Sequence, residues 1–415
     1  MSRRRAAVAV FAAAVLAAGG CGRRPSGVDF EPALAGGAGS LDPPAAVGSL
    51  GPNLAIAGGE LVASWIEPVS EGHRLRFSRL SGDRWSTPVT ISEGDDFFAN
   101  WADFPEVVDL GEGALMAHWL AKTAADTYAY SIFLARSDDG GASWQPFGRL
   151  NDDDTPTEHG FVSFVREQGA ARAFWLDGRA TVEGGPMSLR TALVGSQVGP
   201  AEVLDRRICD CCSTDAAVTA AGPVVVYRDR SKEEIRDISL VRRTREGWAS
   251  PEPVSADGWR IEGCPVNGPE IAVDGERATV AWFTAGGDRP TVRLAFSVDS
   301  AATFAPPLLV AGDDSMGRVD VVLDDDGSAW VSWLSLAEDP SGDASEGKAG
   351  GAGARVRLRR FGPEGPLGED QTVAVTAAGR SSGVPRLERL GDVLYLAWVE
   401  VREGSSRIRL RRFSI

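Results

Sequence analysis

The sequence predicts an all-β fold, a β-propeller of four-stranded blades arranged in a ring, and three observations support it. A short apolar strand that ends in an aromatic residue recurs seven times, at a nearly constant spacing, and each period holds four strand-like segments. The composition agrees, because 43% hydrophobic residues exclude a disordered chain and 49 Gly with 24 Pro among 415 residues indicate many turns. We predict seven blades, with six blades and one displaced repeat as the alternative.

The recurring strand alternates apolar and small residues before its aromatic residue. The seven aromatic residues are Trp65, Trp119, Trp175, Tyr227, Trp282, Trp333 and Trp398, and the spacings between them are 54, 56, 52, 55, 51 and 65 residues. The longest spacing contains a Gly-, Ala- and Ser-rich insertion at residues 336–353, which we expect to be a mobile loop. We predict that each aromatic strand is the second strand of its blade, counted from the centre.

The other three strands of a blade have their own patterns. An alternating segment precedes the aromatic strand, as at residues 270–273, and a third strand follows it, as at residues 292–296. The fourth opens with an aromatic residue and a proline, as at Trp144 and Pro146, and proline fits an outer edge because a missing N–H there costs no ladder hydrogen bond. The seventh repeat stops after its third strand, so we predict that a strand within residues 33–48 closes the ring.

The first twenty residues have the pattern of a signal peptide. A basic start at residues 3–5 precedes 13 apolar residues, too few to cross a bilayer core of about 30 Å as a helix, and then Gly19, Gly20 and Cys21. Residues 18–21 resemble a bacterial lipobox, although the usual Leu three places before the cysteine is missing. The resemblance implies lipidation of Cys21. Because Gly22 rather than Asp follows, it also implies a location at the outer membrane of the cell envelope, on its periplasmic or surface face.

We therefore divide the chain into a lipoprotein signal peptide (residues 1–20), a tether and possible closing strand (21–50) and a propeller (51–415). The 43 Lys and Arg against 58 Asp and Glu give a net charge of −15, which argues against nucleic acid as a partner. The expected partners are the membrane, through the lipid anchor, and a glycan or protein ligand. We expect a monomer.

Two segments between third and fourth strands carry a turn motif. Residues 137–144 read Ser-Asp-Asp-Gly-Gly-Ala-Ser-Trp, and residues 297–304 are a degenerate copy with Ala301 in the place of the second glycine. These segments resemble the Asp-box of bacterial sialidase-like (BNR-repeat) propellers. The resemblance implies the same fold for residues 51–415, although bacterial sialidases usually have six blades, and it raises the possibility of an exo-acting glycosidase.

The resemblance does not extend to the catalytic motifs of a sialidase. That family uses three arginines, the first in an Arg-Ile-Pro motif, with a tyrosine nucleophile paired to a glutamate and an aspartate as acid and base. The motif is absent here, and Tyr227 and Tyr395 have the pattern of core residues among the four tyrosines, the others being Tyr128 and Tyr130. No residue can be assigned a catalytic role from this sequence, which favours a binding protein over an enzyme.

The cysteines are the most specific local feature. Cys209, Cys211 and Cys212 precede the first strand of repeat four, and Cys264 precedes that of repeat five. Because equivalent loops of adjacent blades approach the same axis, we expect Cys264 to lie close to the other three. Four cysteines outside the cytoplasm favour disulfides, with Cys264 joining two blades. The alternative is a thiolate site for Cu or Zn, to which His159 contributes from the loop before repeat three.

Polar and aromatic residues in loops of the same face are candidates for holding a ligand. Trp101 and Trp259 lie outside the core aromatic series and are suited to stacking on a sugar ring. Arginine binds carboxylates and aspartate binds hydroxyl groups, so the remaining candidates are Asp177, Arg179, Arg228, Asp229, Arg230 and Asn267. Mutual salt bridges are the alternative role of the charged ones.

Three functions remain open at this point. The favoured one is a tethered propeller that binds a glycan, a peptide or a protein at its central face. The second is an exo-acting glycosidase of the sialidase type. The third is a cysteine-rich propeller that binds a metal.

Overall fold

A computed structural model describes residues 41–337 and 353–415 of the chain. Its strands form seven antiparallel sheets, each a meander, which confirms the prediction of a seven-bladed propeller and excludes six blades or a sandwich. Among these residues, no helix is long and apolar enough to cross a membrane. Helical structure is limited in the same residues to three short 3-10 turns, Arg179–Glu183, Gly286–Asp288 and Arg380–Ser382.

The strands of the first four blades run outward from the centre in chain order. Blade one contains β1 (Leu50–Ala57), β2 (Glu60–Pro68), β3 (His73–Ser81), β4 (Arg84–Trp85) and β5 (Val89–Gly94). The strands β4 and β5 both pair with β3. Blade two contains β6 (Val107–Gly111), β7 (Ala114–Lys122), β8 (Tyr130–Ser137) and β9 (Gln145–Arg149). Blade three contains β10 (His159–Glu167), β11 (Ala170–Asp177), β12 (Ser188–Val194) and β13 (Glu202–Asp205). Blade four contains β14 (Asp215–Thr219), β15 (Gly222–Arg228), β16 (Ile238–Thr244), β17 (Gly247–Trp248) and β18 (Glu252–Pro253). The short strands β17 and β18 both pair with β16.

The last three blades continue this order. Blade five contains β19 (Glu270–Asp274), β20 (Arg277–Thr284), β21 (Thr291–Ser297) and β22 (Leu308–Ala311). Blade six contains β23 (Ser315–Leu323), β24 (Ala329–Leu336), β25 (Gly353–Gly362) and β26 (Gly365–Ala377). Blade seven contains β27 (Arg386–Leu390), β28 (Val393–Arg402) and β29 (Ser405–Ser414).

The seven aromatic residues lie on the second strands of the seven blades, as predicted. Trp65, Trp175, Trp282 and Trp333 are fully buried. They pack across blade boundaries, since Trp175 of blade three joins a core with Met116 and other residues of blade two. Stacking of apolar sheet faces, rather than backbone pairing between blades, therefore holds the ring together.

The ring closes between blades seven and one. Trp65 and Tyr395 share a core across this boundary. The N-terminal residues run along β29, where the Leu410 N–H donates to the Asp42 carboxylate (2.9 Å) and the Gly48 N–H donates to the Ser406 carbonyl (2.9 Å). Residues 41–49 thus cover the edge of blade seven without forming a strand, and residues 33–40 of the predicted closing strand lie outside the described part of the chain.

The predicted insertion connects the second and third strands of blade six. The strands β24 and β25 flank it, and the Ala337 N–H donates to the Gly353 carbonyl (2.8 Å) at its base. Residues 338–352, the body of this insertion, lie outside the described residues, so the prediction of a mobile loop stays a prediction.

The two turns with the repeated motif have the same hydrogen bonds. Asp139 accepts from the backbone N–H (2.8 Å) and hydroxyl (2.6 Å) of Ser143, and Asp299 does so from Thr303 (2.9 and 2.6 Å). These bonds favour the charged carboxylate and lower the pKa of Asp139 to about 2. The shared motif of these two turns is therefore structural, since each carboxylate holds its own loop.

Candidate functional site

The innermost strands surround a channel of about 460 Å³ that is rich in acidic residues. Its wall carries six carboxyl groups and two guanidiniums, which belong to Glu106, Asp109, Asp215, Glu270, Asp320, Glu388, Arg386 and Arg389. Arg386 pairs with Glu270 (2.9 Å) and with Asp320 (3.3 Å). The two arginines cannot neutralise six carboxylates. Removal from bulk water raises the pKa of Glu106 to about 8 and that of Glu388 to about 7.

Three of these carboxyl groups link neighbouring blades. Asp215 of blade four accepts from the Ile271 N–H of blade five (2.7 Å), and Asp320 of blade six accepts from the Leu387 N–H of blade seven (2.8 Å). Glu106 of blade two likewise accepts from the Phe164 N–H of blade three (2.9 Å). The sequence analysis missed this role, although the pattern of an aspartate near the start of an inner strand could have indicated it. The hydrogen bonds give the channel acids a structural role.

The cysteines of blade four form a compact cluster just before β14. The Cys209 Sγ lies 3.4 Å from the Cys212 Sγ and 3.8 Å from the Cys211 Sγ, and all three sulfurs lie within 4.8 Å of one another. Cys209 and Cys212 are each 1% exposed, whereas Cys211 is half-buried. The Cys209 N–H donates to the Arg228 carbonyl (3.0 Å), which anchors the loop to the end of β15. We call these three residues the thiol cluster.

The thiol cluster has an electropositive side. The Arg236 Nη1 donates to the Cys209 Sγ (3.1 Å), and the buried guanidinium of Arg228 adds a second positive charge. Hydrogen bonds with the Cys211 and Cys212 thiols hold the pKa of Cys209 well below its usual value, and the positive charge of Arg228 lowers this pKa further. Burial raises the pKa of Cys212 to about 12. Cys209 is therefore the member of the cluster that ionises first.

Cys264 reaches the cluster from blade five, as predicted. Its sulfur, the Cys211 sulfur and an Asp210 carboxylate oxygen lie within 4.8 Å of one another. However, all four described cysteines are free thiols, so the prediction of a disulfide is wrong. Cys209 and Cys212 turn inward and stay 3.4 Å apart rather than at the bonded distance of about 2.05 Å, and the exposed Cys264 meets Cys211 on the outside.

The structure does not bring His159 to the sulfurs. Its ring is fully buried in blade three, with Nδ1 facing the carbonyl oxygens of Tyr130 (3.2 Å) and Thr157 (3.1 Å). Its Nε2 lies 3.1 Å from the Asp153 carboxylate. Because His159 begins β10 and its ring points into the blade, the predicted ligation of a metal by His159 with the cysteines is corrected.

A third group with metal-ligand atoms consists of His159, Asp153 and Asp177, but the Arg179 guanidinium already pairs with both of its carboxylates. Arg179 donates to Asp177 through Nε (2.7 Å) and Nη2 (2.8 Å), and its Nη2 lies 3.1 Å from Asp153. Asp177 is fully buried and also accepts from the Trp175 indole (3.0 Å). The alternative of mutual salt bridges thus describes Asp177 and Arg179, whose charged groups are already paired.

Arg228 and Trp259 are buried together between blades four and five. The Arg228 guanidinium donates to the backbone carbonyls of Arg236 (2.6 Å), Phe283 (2.7 Å) and Asn267 (2.8 Å). It lies over the Trp259 ring at 4.9 Å, and Phe283 contacts the same ring edge-on at 5.5 Å. With 1% and 7% exposure, Arg228 and Trp259 have no surface left for a sugar or a carboxylate ligand in this structure.

The other ligand candidates lie nearer to solvent. Trp101 is half-buried, and the Arg318 guanidinium lies over its ring, 4.5 Å from the ring centre. Asn267 lines a small cavity together with Cys211, and its side-chain oxygen accepts from the Arg318 N–H (2.7 Å). Trp101 and Asn267 stay predicted ligand contacts at the central face.

Asp229 and Arg230, the last two candidates, follow β15. Arg230 pairs with Glu234 (3.0 Å), in line with the salt-bridge alternative. Burial raises the pKa of Asp229 to about 6. Arg230 is thus engaged by a neighbouring carboxylate.

A tyrosine–glutamate pair is present that the sequence analysis did not single out. The Tyr130 hydroxyl donates to the Glu158 carboxylate (2.5 Å), and Phe98 stacks on the Tyr130 ring at 4.0 Å. Tyr130 is fully buried, and burial together with the charges of Asp103 and Glu158 raises its pKa well above the usual value. Because Tyr130 is fully buried, its hydroxyl is not accessible to a substrate in this structure.

The chain matches no protein-family model and no curated protein. Among solved structures, it is similar to an ulvan lyase of polysaccharide lyase family PL25, with a TM-score of 0.53, 12% identity and coverage of 91% of this chain and 96% of that one. It is also similar to the polysaccharide lyase Uly1, with a TM-score of 0.53, 8% identity and coverage of 89% and 90%. A mutant of NanB sialidase from Streptococcus pneumoniae has a TM-score of 0.43 and 11% identity, with coverage of 88% and 68%. At these identities the two lyases show a shared β-propeller fold and nothing about activity.

Proposed function

We propose that this chain is a ligand-binding β-propeller rather than an enzyme, and that its ligand is a soft metal ion, Cu(I), held by the thiol cluster. The observation that carries the proposal is the approach of the sulfurs of Cys209, Cys211 and Cys212 to within 4.8 Å of one another. Thiolates select soft ions, and three converging sulfurs suit an ion of low coordination number.

The number of donors favours Cu(I) over Zn. A structural zinc site takes four protein ligands in a tetrahedron. In the described residues the group around Cys209 and Cys212 has three sulfurs, and Cys264 joins Cys211 in a separate group with Asp210. A three-coordinate Cu(I) uses the ligands that are present.

The charges around the cluster support binding of a monovalent ion by three thiolates. Such a complex carries two negative charges, and burying them is costly unless opposite charges lie near. Arg236 donates directly to the Cys209 sulfur, and the hydrogen bonds of Arg228 go to backbone carbonyls, so its charge remains available to the cluster. Two guanidiniums, of which Arg236 also pairs with Glu234, thus lie near the two negative charges.

We propose also that the propeller works outside the cytoplasm, tethered to the outer membrane through a lipid on Cys21. The support is the sequence of residues 1–22, with its basic start, short apolar stretch and cysteine. In an oxidising compartment, free thiols are exposed to oxidation, and a bound ion protects them.

The test is a competition titration of the reduced, full-length protein with Cu(I) and the chelator bathocuproine disulfonate under anaerobic conditions. We expect one tightly bound Cu(I) per chain, with copper–sulfur scattering in X-ray absorption. Cys209→Ser and Cys212→Ser should remove this binding, whereas Ser213→Ala, a neighbouring change without loss of a sulfur, should leave it unchanged. Equal binding by the wild type and by Cys209→Ser would overturn the proposal.

A further inference from the structure

We propose that Asp210, Cys211 and Cys264 form an outer capture site, from which a Cu(I) ion passes to the thiol cluster. This inference rests on the proposed function. Its basis is that two groups of metal-ligand atoms share the sulfur of Cys211. One group contains Asp210 and Cys264, and the other contains Cys209 and Cys212.

The two groups differ in their access to solvent. Cys264 is exposed and the Asp210 side chain is 39% exposed, whereas Cys209 and Cys212 are each 1% exposed. An ion from solution therefore meets the outer group first, and Cys211 is the ligand that belongs to both groups. Its sulfur lies 3.8 Å from that of Cys209, a separation that two ligands of one ion can span.

Asp210 is poorly paired for a carboxylate at this position. Its nearest cations are Arg230 at 3.5 Å and Arg236 at 3.8 Å. Its Oδ1 is shielded from water and accepts no hydrogen bond from any residue that the structure describes. A buried oxygen without a hydrogen bond costs free energy, and a cation beside Cys211 and Cys264 would supply a closer interaction than the arginines do.

The transfer is an exchange of ligands at one ion. The bonds from Cu(I) to the Asp210 oxygen and the Cys264 sulfur break, those to the Cys209 and Cys212 sulfurs form, and the bond to Cys211 is kept throughout. Cys209 enters as the thiolate that faces Arg236, and Asp210 leaves as a free carboxylate. Cys212 gives up its thiol proton as Cys264 regains one, so protons balance and copper stays in the same oxidation state. Cys264 comes from blade five and the other cysteines from blade four, so the route lies at the junction of two blades.

The experiment measures the rate at which reduced, full-length protein takes Cu(I) from its bicinchoninate complex in a stopped-flow instrument. We expect Cys264→Ser to slow loading at least about tenfold, the range seen when supporting groups of metal sites are removed. Its affinity for Cu(I) at equilibrium should match that of the wild type. Asp210→Asn should also slow loading. Arg260→Gln, an exposed change in the loop that contains Cys264, should load at the rate of the wild type.

The outcomes separate this inference from the proposed function. If the wild type binds no Cu(I), the proposed function fails. If the wild type binds Cu(I) and Cys264→Ser loads at the same rate, the capture site is overturned while the proposed function stands. If Cys264→Ser weakens the equilibrium affinity as much as Cys209→Ser does, Cys264 is a ligand of the final site, and the capture site is again overturned.

Discussion

The Arg236 guanidinium donates a hydrogen bond of 3.1 Å to the sulfur of Cys209, a residue 27 positions earlier in the chain. The same guanidinium is fixed from the other side by Glu234, at 2.7 Å from its Nη2. A thiol cluster with a neighbouring cation of this kind is prepared for an anionic sulfur before any ligand arrives. Arg236 is thus part of the thiol cluster's environment, held in place by Glu234.

Replacing Arg236 with Gln should raise the pKa of Cys209 by about one unit or more, because an adjacent opposite charge shifts a pKa by roughly 1–3 units. The ultraviolet absorbance of thiolates, followed against pH and compared with Cys209→Ser as the blank, measures this shift. Arg245→Gln, an exposed change on the same blade, is the control and should have no effect. An unchanged titration in Arg236→Gln would show that the hydrogen bond does not stabilise the thiolate.

The protein should release no sialic acid from a fluorogenic α-sialoside. The physical reason is that Tyr130, which pairs with Glu158, is fully buried and its pKa is raised rather than lowered. The fluorescence of wild type, Tyr130→Phe and Tyr395→Phe should equal the blank. Turnover that Tyr130→Phe abolishes and Tyr395→Phe keeps would contradict this prediction.

The channel acids should make the protein less stable as the pH rises. Burial raises the folded-state pKa of Glu106 from 4.5 to about 8, so folding favours its neutral form. The stability that Glu106 contributes is then fully present below pH 4.5 and is lost as the pH rises through about 8.

The variant Glu106→Gln tests this expectation, since its amide oxygen can still accept from the Phe164 N–H. Urea unfolding at several pH values should show a flatter pH dependence than that of the wild type, with the largest gain in the free energy of unfolding at high pH. Glu364→Gln in an exposed turn is the control. A wild type whose stability increases between acidic and mildly alkaline pH would refute the argument.

The two motif turns should respond differently to exchange of glycine and alanine. Gly141 has a φ of +89°, and an added Cβ would lie 2.2 Å from the Phe77 ring, so Gly141→Ala should destabilise the protein by on the order of 2–3 kcal/mol. Ala301 at the equivalent position has a φ of +60° with its methyl group buried, so Ala301→Gly should change stability by less than about 1 kcal/mol. Thermal unfolding of both variants measures the difference, and equal losses would contradict it.

The sequence was informative where the physics is local. The alternation of apolar residues and the aromatic residue at the end of each second strand predicted the positions of Trp65 through Trp398 on seven blades. The proximity of Cys264 to the other cysteines followed as well, because loops at equivalent positions of adjacent blades approach the same axis. The free state of the four cysteines did not follow, because the sequence does not state which way each sulfur points.

The repeat pattern of the sequence did not predict the orientation of individual side chains. Trp259 was predicted to be free to stack on a sugar and instead packs beneath Arg228, and His159 was predicted to ligate a metal and instead faces Asp153. Trp259 lies in a loop and His159 is the first residue of β10, two places where no periodicity states which side is buried. Their environment comes from contacts between blades.

The sequence by itself determined the ring, because strand pairing within a blade is local and a repeat near 54 residues leaves each blade an apolar face that only another blade can cover. Only the tertiary structure decided the chemistry of the central face. It placed the Arg236 guanidinium against a buried thiol, left Cys264 exposed beside Cys211 and turned channel acids toward the backbone of the next blade. These relationships join residues of different blades or loops, and a one-dimensional period contains no information about distances across them.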